Sequence, residues 1–330
     1  MTKILITGGN GFIGTNLVLA LRERNSIQQQ ALYLVDFAKP KIELAENESW
    51  LELNILDKQA LLEAFKTIKP DVVIHLAAQT DCDPALTMKD YVVNTTGSEN
   101  IYEACQEAKV DCLVNTSTQF VNQSGNQPAS DTEYAPHTVY GESKIVAEQK
   151  LREGNYSFNW IIIRPTNIWG RWHLKYPFEF WKVVKDGKYF HPGKQPVIRS
   201  YGYVGNICDQ ILKLIDLRNS PKVSRQVFYV GDEPINLFDW ANSFCLSISN
   251  KPARVVPRSI VYLAALTGTA LKKLNIRFPI TLSRYESMTS DNPAPMTKTL
   301  ELLGPPKYTM QQGVDITTKW LLDYWKQNNM

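Results

Sequence analysis

The sequence predicts an α/β fold, a parallel sheet covered by helices on both faces and followed by a smaller second domain. Short apolar, β-branched runs alternate with helix-length segments through the first half, and a strand, a glycine-rich turn and a helix meet in ILITGGNGFIGTNL near the N-terminus. Past Gly170 the alternation stops, and aromatic, basic and turn-forming residues crowd together in RWHLKYPFEFWKVVKDGKYFHPGKQPVIRSYGY.

Taken in order, residues 4–7 read as a strand, 12–24 as a helix and 31–36 as the next strand. A helix closing at Pro70 leads into a strand at 72–76, a helix at 94–108 and a strand at 112–116. Residues 137–154 carry helix formers and stop at Gly154, and 158–165 is a buried strand ended by proline. Strands separated by helix-length segments imply right-handed crossovers, hence parallel pairing. Later helices are expected at 206–217, 237–247 and 316–325. The domains are expected at 1–168 and 169–330, with segments near 203–230 returning to the first.

Composition narrows the function. The 330 residues are 44% hydrophobic and 21% charged, a globular balance. The 36 basic and 33 acidic residues form no long Lys/Arg block, so no nucleic-acid polymer is expected as partner. Five cysteines without C-x-x-C spacing argue against a disulfide scaffold and against a metal site. The apolar start runs straight into glycines, so no cleavable leader is expected and the cytoplasm is the expected compartment. The stretch SIVYLAALTGTALKKL at 259–274 is interrupted by polar residues and too short for a membrane span. It is expected to be an amphipathic helix on a domain surface or pocket wall, with a membrane contact as the alternative, and no membrane is expected as partner.

Gly8, Gly11 and Gly14 stand between the first strand and the first helix. Gly8 suits a tight turn, Gly11 lets backbone approach a pyrophosphate at the helix N-terminus, and Gly14 lets the helix pack close to the sheet. The alternative is a purely structural turn. Asp36 ends the second strand, where a carboxylate accepts hydrogen bonds from both hydroxyls of an adenosine ribose and repels a 2'-phosphate. This favours NAD as cofactor, although a strand-end aspartate also forms ordinary turns, and Lys39 and Lys41 keep the phosphate-bearing cofactor in play.

Tyr140 and Lys144 lie four apart on the helix expected at 137–154, so phenol and ammonium share a face. The ammonium can lower the phenol's pKa and make Tyr140 a proton exchanger for a hydroxyl or carbonyl, while Lys144 also holds nicotinamide ribose. Y-x-x-x-K alone arises by chance in many helices. Here NTSTQF at 115–120 leaves the preceding strand with three hydroxyls, and Thr118 is placed to bond the same reacting oxygen.

GGNGFIG, HLAAQT, NTSTQF, YGESK and RPTNIWG, in this order, resemble the extended short-chain dehydrogenases/reductases, and more narrowly the NAD-dependent epimerase/dehydratase group acting on nucleotide sugars. The match is strong over 2–210 and looser to about 325. The resemblance implies a Rossmann-type sheet, a smaller, mainly C-terminal substrate-binding domain, and Thr118, Tyr140 and Lys144 as the catalytic set. It further implies Gly8, Gly11, Phe12, Ile13 and Gly14 on the pyrophosphate, Asp36 on ribose and Asn54 and Ile55 around adenine. Ala77 and Ala78 would floor the cofactor site, Asn94 would open the following helix and Pro165 would lie near nicotinamide. Asn94 serves equally well as a cap or bridge between strands. Asn167 and Arg199 match positions near the substrate diphosphate; a surface arginine is the alternative for the latter, and solvating their loop is the alternative for His191 and Lys194. The implied partner is a nucleotide-diphosphate sugar, and the implied assembly a homodimer.

The chain departs from the family pattern at Val121-Asn122-Gln123 and at Asn206, where an aspartate is usual. Gln119 and Phe120 replace the acid pair that follows the threonine in nucleotide-sugar dehydratases, and neither can do acid-base work near neutral pH. A 4-epimerase is therefore expected, with a 4-keto-sugar reductase using NAD(P)H, an oxidase of a sterol-like or small hydroxyl substrate, and a non-catalytic cofactor-binding regulator as alternatives.

Overall fold

The computed structural model describes residues 1–330 apart from 25–29, 124, 126–127, 274–275 and 277. In chain order it forms β1 (Thr2–Thr7), α1 (Phe12–Glu23), β2 (Gln30–Val35), β3 (Glu48–Leu51), α2 (Lys58–Ile68), β4 (Val72–His75), α3 (Thr96–Ala108), β5 (Cys112–Thr116), α4 (Val139–Glu153) and β6 (Asn159–Pro165). There follow β7 (Asn167–Trp169), α5 (Tyr176–Lys185), β8 (Phe190–Pro192), β9 (Ile198–Arg199), β10 (Tyr201–Tyr203), α6 (Val204–Asp216) and β11 (Gln226–Val230). The remainder is β12 (Ile235–Asn236), α7 (Leu237–Ser249), β13 (Arg254–Val256), α8 (Arg258–Lys273), α9 (Leu282–Thr289), α10 (Thr297–Leu303) and α11 (Met310–Gln327).

Two compact units result. The first comprises Met1–Ile168, Gly202–Asp232 and Pro295–Lys307; the second comprises Trp169–Tyr201, Glu233–Ala294 and Tyr308–Met330.

The first unit holds a seven-stranded sheet in the order β11-β6-β5-β4-β1-β2-β3, with every pairing parallel. This is a Rossmann-type sheet. Helices cover both faces, so the central strands carry unbroken apolar runs: all four residues of β4 and all five of β5 are buried. Leu5, Val73, Leu113 and Trp160 align across four neighbouring strands and anchor the main core. From β1 the chain winds outward through β2 and β3, then returns to lay β4 on the other side of β1. The reversal opens a crevice at the strands' C-terminal ends, where ligands of such sheets bind.

The edge strand β3 is absent from the sequence expectation because Glu-Ser-Trp-Leu carries neither a β-branched run nor clean alternation. Burial of Glu48 explains why it forms: its carboxylate takes two hydrogen bonds from Arg22 of α1, from Nε at 2.9 Å and Nη2 at 2.6 Å. At the opposite edge Thr299 of α10 donates to the carbonyl of Tyr229 in β11.

The aromatic residues past 170 build the second unit's interior, where Phe180 stacks on Trp240 at 4.8 Å and Trp169 meets Phe244 edge-on at 5.4 Å. Helix α7 packs with α5 and α11, and α8 packs with α9. The stretch expected to be an amphipathic helix at 259–274 is α8, apart from residue 274, which lies outside the described residues.

Candidate active site

The glycines decide how closely the chain can fold at the mouth of β1. Gly8 has φ of +68°, and a Cβ there would stand 2.8 Å from the amide nitrogen of Ala77 in the loop after β4. A Cβ on Gly14 would overlap the carbonyl oxygens of Gly8 and Gly9. Helix α1 begins directly under the end of β1, with Gly11 as an N-cap that makes no side-chain capping bond. The first amides of a helix have no acceptor within it, so this turn presents Phe12, Ile13 and Gly14 as a cradle for an anion.

Asp36 stands just past β2 and is tied to the same turn. Its Oδ2 accepts from the Asn10 amide and its Oδ1 from the Ala38 amide, both at 3.0 Å. A carboxylate offers about four acceptor positions, so two remain for a ribose diol. Lys41 is close enough for Asp36 to favour its charge, although burial holds its ammonium below the ordinary lysine value. Asn54 uses Oδ1 to accept from the Leu56 amide at 2.9 Å, fixing the loop that places Ile55 in the core. Ala77 donates its amide to Thr7 Oγ1 at 3.3 Å, Ala78 beside it is half-buried, and Pro165 ends β6 opposite Val230. Asn94 precedes α3 by two residues and bridges elements: Oδ1 accepts from the Gln79 amide, and Nδ2 donates to the Gln79 carbonyl and to Ser143 Oγ of α4, all within 2.8–2.9 Å.

Thr118, Tyr140 and Lys144 come together and are all buried. Thr118 caps the short turn at Gln119–Val121, its Oγ1 accepting from the Phe120 amide at 3.2 Å, while Thr138 caps α4 by accepting from the Gly141 amide at 3.0 Å. Thr118 stands near enough to the Tyr140 phenol to act on its pKa, and the Phe120 ring meets the phenol ring edge-on at 6.4 Å. Burial raises the phenol well above its ordinary value, and the Thr118 hydroxyl works against that rise. The sequence argument expected a lowered phenol; burial dominates instead, and the Lys144 ammonium is directed to the Thr116 carbonyl at 2.9 Å. Burial brings Lys144 itself down to about 8, with Glu148 one turn further along α4 opposing the fall.

Glu148, which sequence reasoning missed, completes a buried stripe at 140, 144 and 148. Arg164 of β6 grips its carboxylate bidentately, Nε to Oε1 at 2.9 Å and Nη2 to Oε2 at 2.7 Å, with neither side chain exposed. Tyr134 adds a third bond to Glu148 at 3.0 Å. A second extension of the same i,i+4 spacing would have revealed it. His75 was also missed. Its Nδ1 lies 2.7 Å from Thr7 Oγ1 and its Nε2 3.0 Å from Ser98 Oγ. Ser98 donates to the Asn94 carbonyl, so its oxygen is left to accept from Nε2–H, and Nδ1 accepts from Thr7. Burial, reinforced by the Lys144 charge, lowers His75 to about 3 and keeps it neutral.

Where the usual aspartate is replaced by Asn206, the amide donates from Nδ2 to Asp232 at 2.7 Å, and Asp232 also accepts from the Tyr203 amide at 2.8 Å. The carboxylate has moved to the other side of the contact, where burial raises it to about 6. Asn167 is half-buried, and its Nδ2 meets no acceptor among the described residues. In the second unit, Arg199 is buried with Nη1 donating to the Ser290 carbonyl at 3.0 Å and Nε without an acceptor among the described residues. His191 lies buried against Tyr189 at 3.1 Å and does not solvate a loop.

Residues 4–231 match the NAD dependent epimerase/dehydratase family. The chain belongs to that family. Similarity to individual proteins is spread over differing chemistries. The chain is 26% identical to a 3 beta-hydroxysteroid dehydrogenase/Delta 5-->4-isomerase of Mycobacterium tuberculosis, covering 98% of this chain and 92% of that one. It is 25% identical to the N-acetyl-alpha-D-glucosaminyl-diphospho-ditrans,octacis-undecaprenol 4-epimerase of Escherichia coli O157:H7, covering 99% and 98%. In fold it is similar to the UDP-glucose 4-epimerase of Thermotoga maritima, with a TM-score of 0.72, 23% identity and coverage of 98% and 99%.

Proposed function

We propose that this protein is an NAD-dependent nucleotide-sugar 4-epimerase working by transient oxidation at C4 to a 4-keto intermediate. The reading is carried by the buried hydroxyl pair of Thr118 and Tyr140 beside Lys144, followed by Gln119 and Phe120, which offer neither acid nor base. Family membership and the fit of the first unit's crevice support NAD. Gly8, Gly11, Phe12, Ile13 and Gly14 would hold the pyrophosphate, Asp36 the adenosine ribose, and Asn54 and Ile55 the adenine. Ala77, Ala78, Asn94 and Pro165 would flank the nicotinamide end, with Tyr140 and Lys144 on its ribose. Bound NAD supplies the hydride acceptor and, when oxidised, a positive charge that favours an ionised phenol.

The chain's own groups handle the proton. Tyr140 Oη takes it from the C4 hydroxyl as that carbon is oxidised and returns it when the ketone is reduced on its other face. Thr118 Oγ1 bonds the same oxygen and fixes its distance from Tyr140. The Lys144 ammonium favours the phenolate in transit, and burial of all three keeps water from competing for the proton. Asn167 Nδ2 in the first unit and, separately, Arg199 Nε in the second have no acceptor among the described residues, and each donor by itself suits an anionic substrate oxygen. The similarity to two 4-epimerases, one acting on a UDP-sugar and one on a sugar diphosphate carried by undecaprenol, agrees with this choice.

The deciding measurement is stoichiometry. Purified protein given UDP-hexoses is expected to interconvert C4 epimers with no cofactor added, and consumption of one NAD(P)H per turnover would instead mark a reductase. The hydroxysteroid relative at 26% identity favours one second reading, net oxidation of a sterol-type hydroxyl. In that case NADH accumulates in step with ketone when a 3-hydroxysteroid is supplied.

A further inference from the structure

Helix α8 is held on one side only. Val261 and Ala265 pack with Ile280, and Gly268 allows an approach so close that a Cβ there would overlap the Ile280 carbonyl oxygen. The other side faces solvent with large apolar side chains: Leu263 is 63% exposed and Ile260 57%, with Tyr262 and Leu266 beside them. Ile260, Leu263 and Leu266 recur every three residues and form one stripe. Ile276 and Phe278, just beyond the helix, are exposed as well.

The sequence of the stripe and its flanks is mainly basic, with Glu286 of α9 the first acidic residue beyond it. Residues 251–285 contain Lys251, Arg254, Arg258, Lys272, Lys273, Arg277 and Arg284, and no Asp or Glu, in a chain whose net charge is only +3. Arg254, Lys272 and Arg284 are exposed. A contiguous apolar stripe on a soluble face marks an interaction surface, and this one needs a partner that offers an apolar phase and negative charge together. Two copies of the chain meeting here would set one basic zone against the other, which like-charge repulsion opposes. A bilayer with anionic headgroups meets both needs: the stripe enters the acyl boundary while Lys and Arg stay among the headgroups. Tyr262 and Phe278 suit the headgroup level. None of the described helices is long and apolar enough to cross a membrane. Length and hydropathy test for a span and not for a helix lying flat.

We propose that the exposed face of α8, continued by Ile276 and Phe278, docks the protein on the surface of a bilayer that carries anionic headgroups. The inference is independent of the catalytic reading, because docking needs no substrate and no turnover.

Flotation of the full chain with vesicles tests it, using phosphatidylcholine alone and phosphatidylcholine mixed with phosphatidylglycerol. The bound fraction is expected to be about ten-fold higher on the mixed vesicles and to fall as salt is raised. Ile260→Glu/Leu263→Glu is expected to abolish binding to both, and Arg254→Gln/Lys272→Gln to remove mainly the anionic preference. Both pairs are exposed, so circular dichroism and thermal midpoint should match wild type; if the glutamate pair misfolds, Leu263→Ser gives the same reading with a partial loss. Wild-type protein that floats with neither vesicle, or binding that survives Ile260→Glu/Leu263→Glu, overturns the proposal. So does an assembly seen by sedimentation velocity that Leu263→Ser dissociates without any vesicle capture, since the face would then belong to a second copy.

Discussion

The backbone of Gly141 lies directly against the carbonyl oxygen of Phe120, with no room for a Cβ between them. This contact sets α4, and with it Tyr140, onto the turn that carries Thr118. Gly141→Ala must push the two apart. We expect a loss of about 1 to 3 kcal/mol in stability and a fall in kcat on the order of 100-fold, read by urea unfolding and steady-state kinetics. A variant with wild-type kcat would show that the close approach does not position Tyr140.

Removing the phenolic oxygen should separate chemistry from binding. Tyr140→Phe is expected to lower turnover by roughly 100- to 10,000-fold while weakening NAD far less, because it takes away one ribose contact and leaves the glycine turn, Asp36 and Lys144 in place. Thr118→Val removes the hydroxyl that opposes the phenol's rise, so the pH–rate profile of that variant should shift toward higher pH. A Tyr140→Phe protein as active as wild type would remove the residue from the proton's path.

Glu148→Gln tests the charge behind Lys144. Lys144 loses its proton as pH rises through about 8, and the Glu148 carboxylate favours the protonated form. Without that carboxylate the ammonium is lost at lower pH, so the alkaline limb of kcat/KM should move down. Arg164 is then left buried without its partner, at a cost of about 3 to 5 kcal/mol, and Glu148→Gln/Arg164→Met should recover much of that stability without restoring the limb.

His75 makes the fold sensitive to acid. Its value in the folded chain is about 3, against an ordinary value of 6.5, so between those limits the unfolded chain binds the extra proton. Its contribution is complete above 6.5 and is lost as pH falls toward 3. From pH 7 to 4.5 the loss is on the order of 2 to 3 kcal/mol. His75→Gln should flatten this dependence in urea titrations, and an unchanged slope would place the acid sensitivity elsewhere.

Arg199→Ala should weaken the diphosphate-bearing substrate by about 2 to 4 kcal/mol, with the effect in kcat/KM and NAD affinity preserved. Calorimetric titration of both ligands decides it: selective loss of NAD affinity would move Arg199 to the cofactor, and no loss in either would leave it as the partner of Ser290.

The strands of the first unit were legible where both faces are covered, because VVIH and CLVNT can only be buried. The reactive set was legible from spacing on α4. Other features hold together through contacts distant in sequence. Strand β3 depends on Arg22 reaching Glu48, and the neutrality of His75 depends on Thr7 and Ser98. The raised phenol of Tyr140 reflects burial, which spacing does not report. Asp232 in place of an aspartate at 206 could be read only once the two were seen in contact.

The first unit is assembled from three stretches, closed only when Pro295–Lys307 has joined Met1–Ile168 and Gly202–Asp232. During synthesis β6 leaves the ribosome with one edge bare, and its partner β11 does not exist until Gln226–Val230 is made. An unpaired edge of three isoleucines is a template for wrong pairing. At about 5 to 20 residues per second, the wait from Ile168 to Lys307 is roughly seven to twenty-eight seconds. The nascent chain is then expected to be a client for chaperones, and a fragment cut after Ile168 to keep that edge bare and aggregate through it.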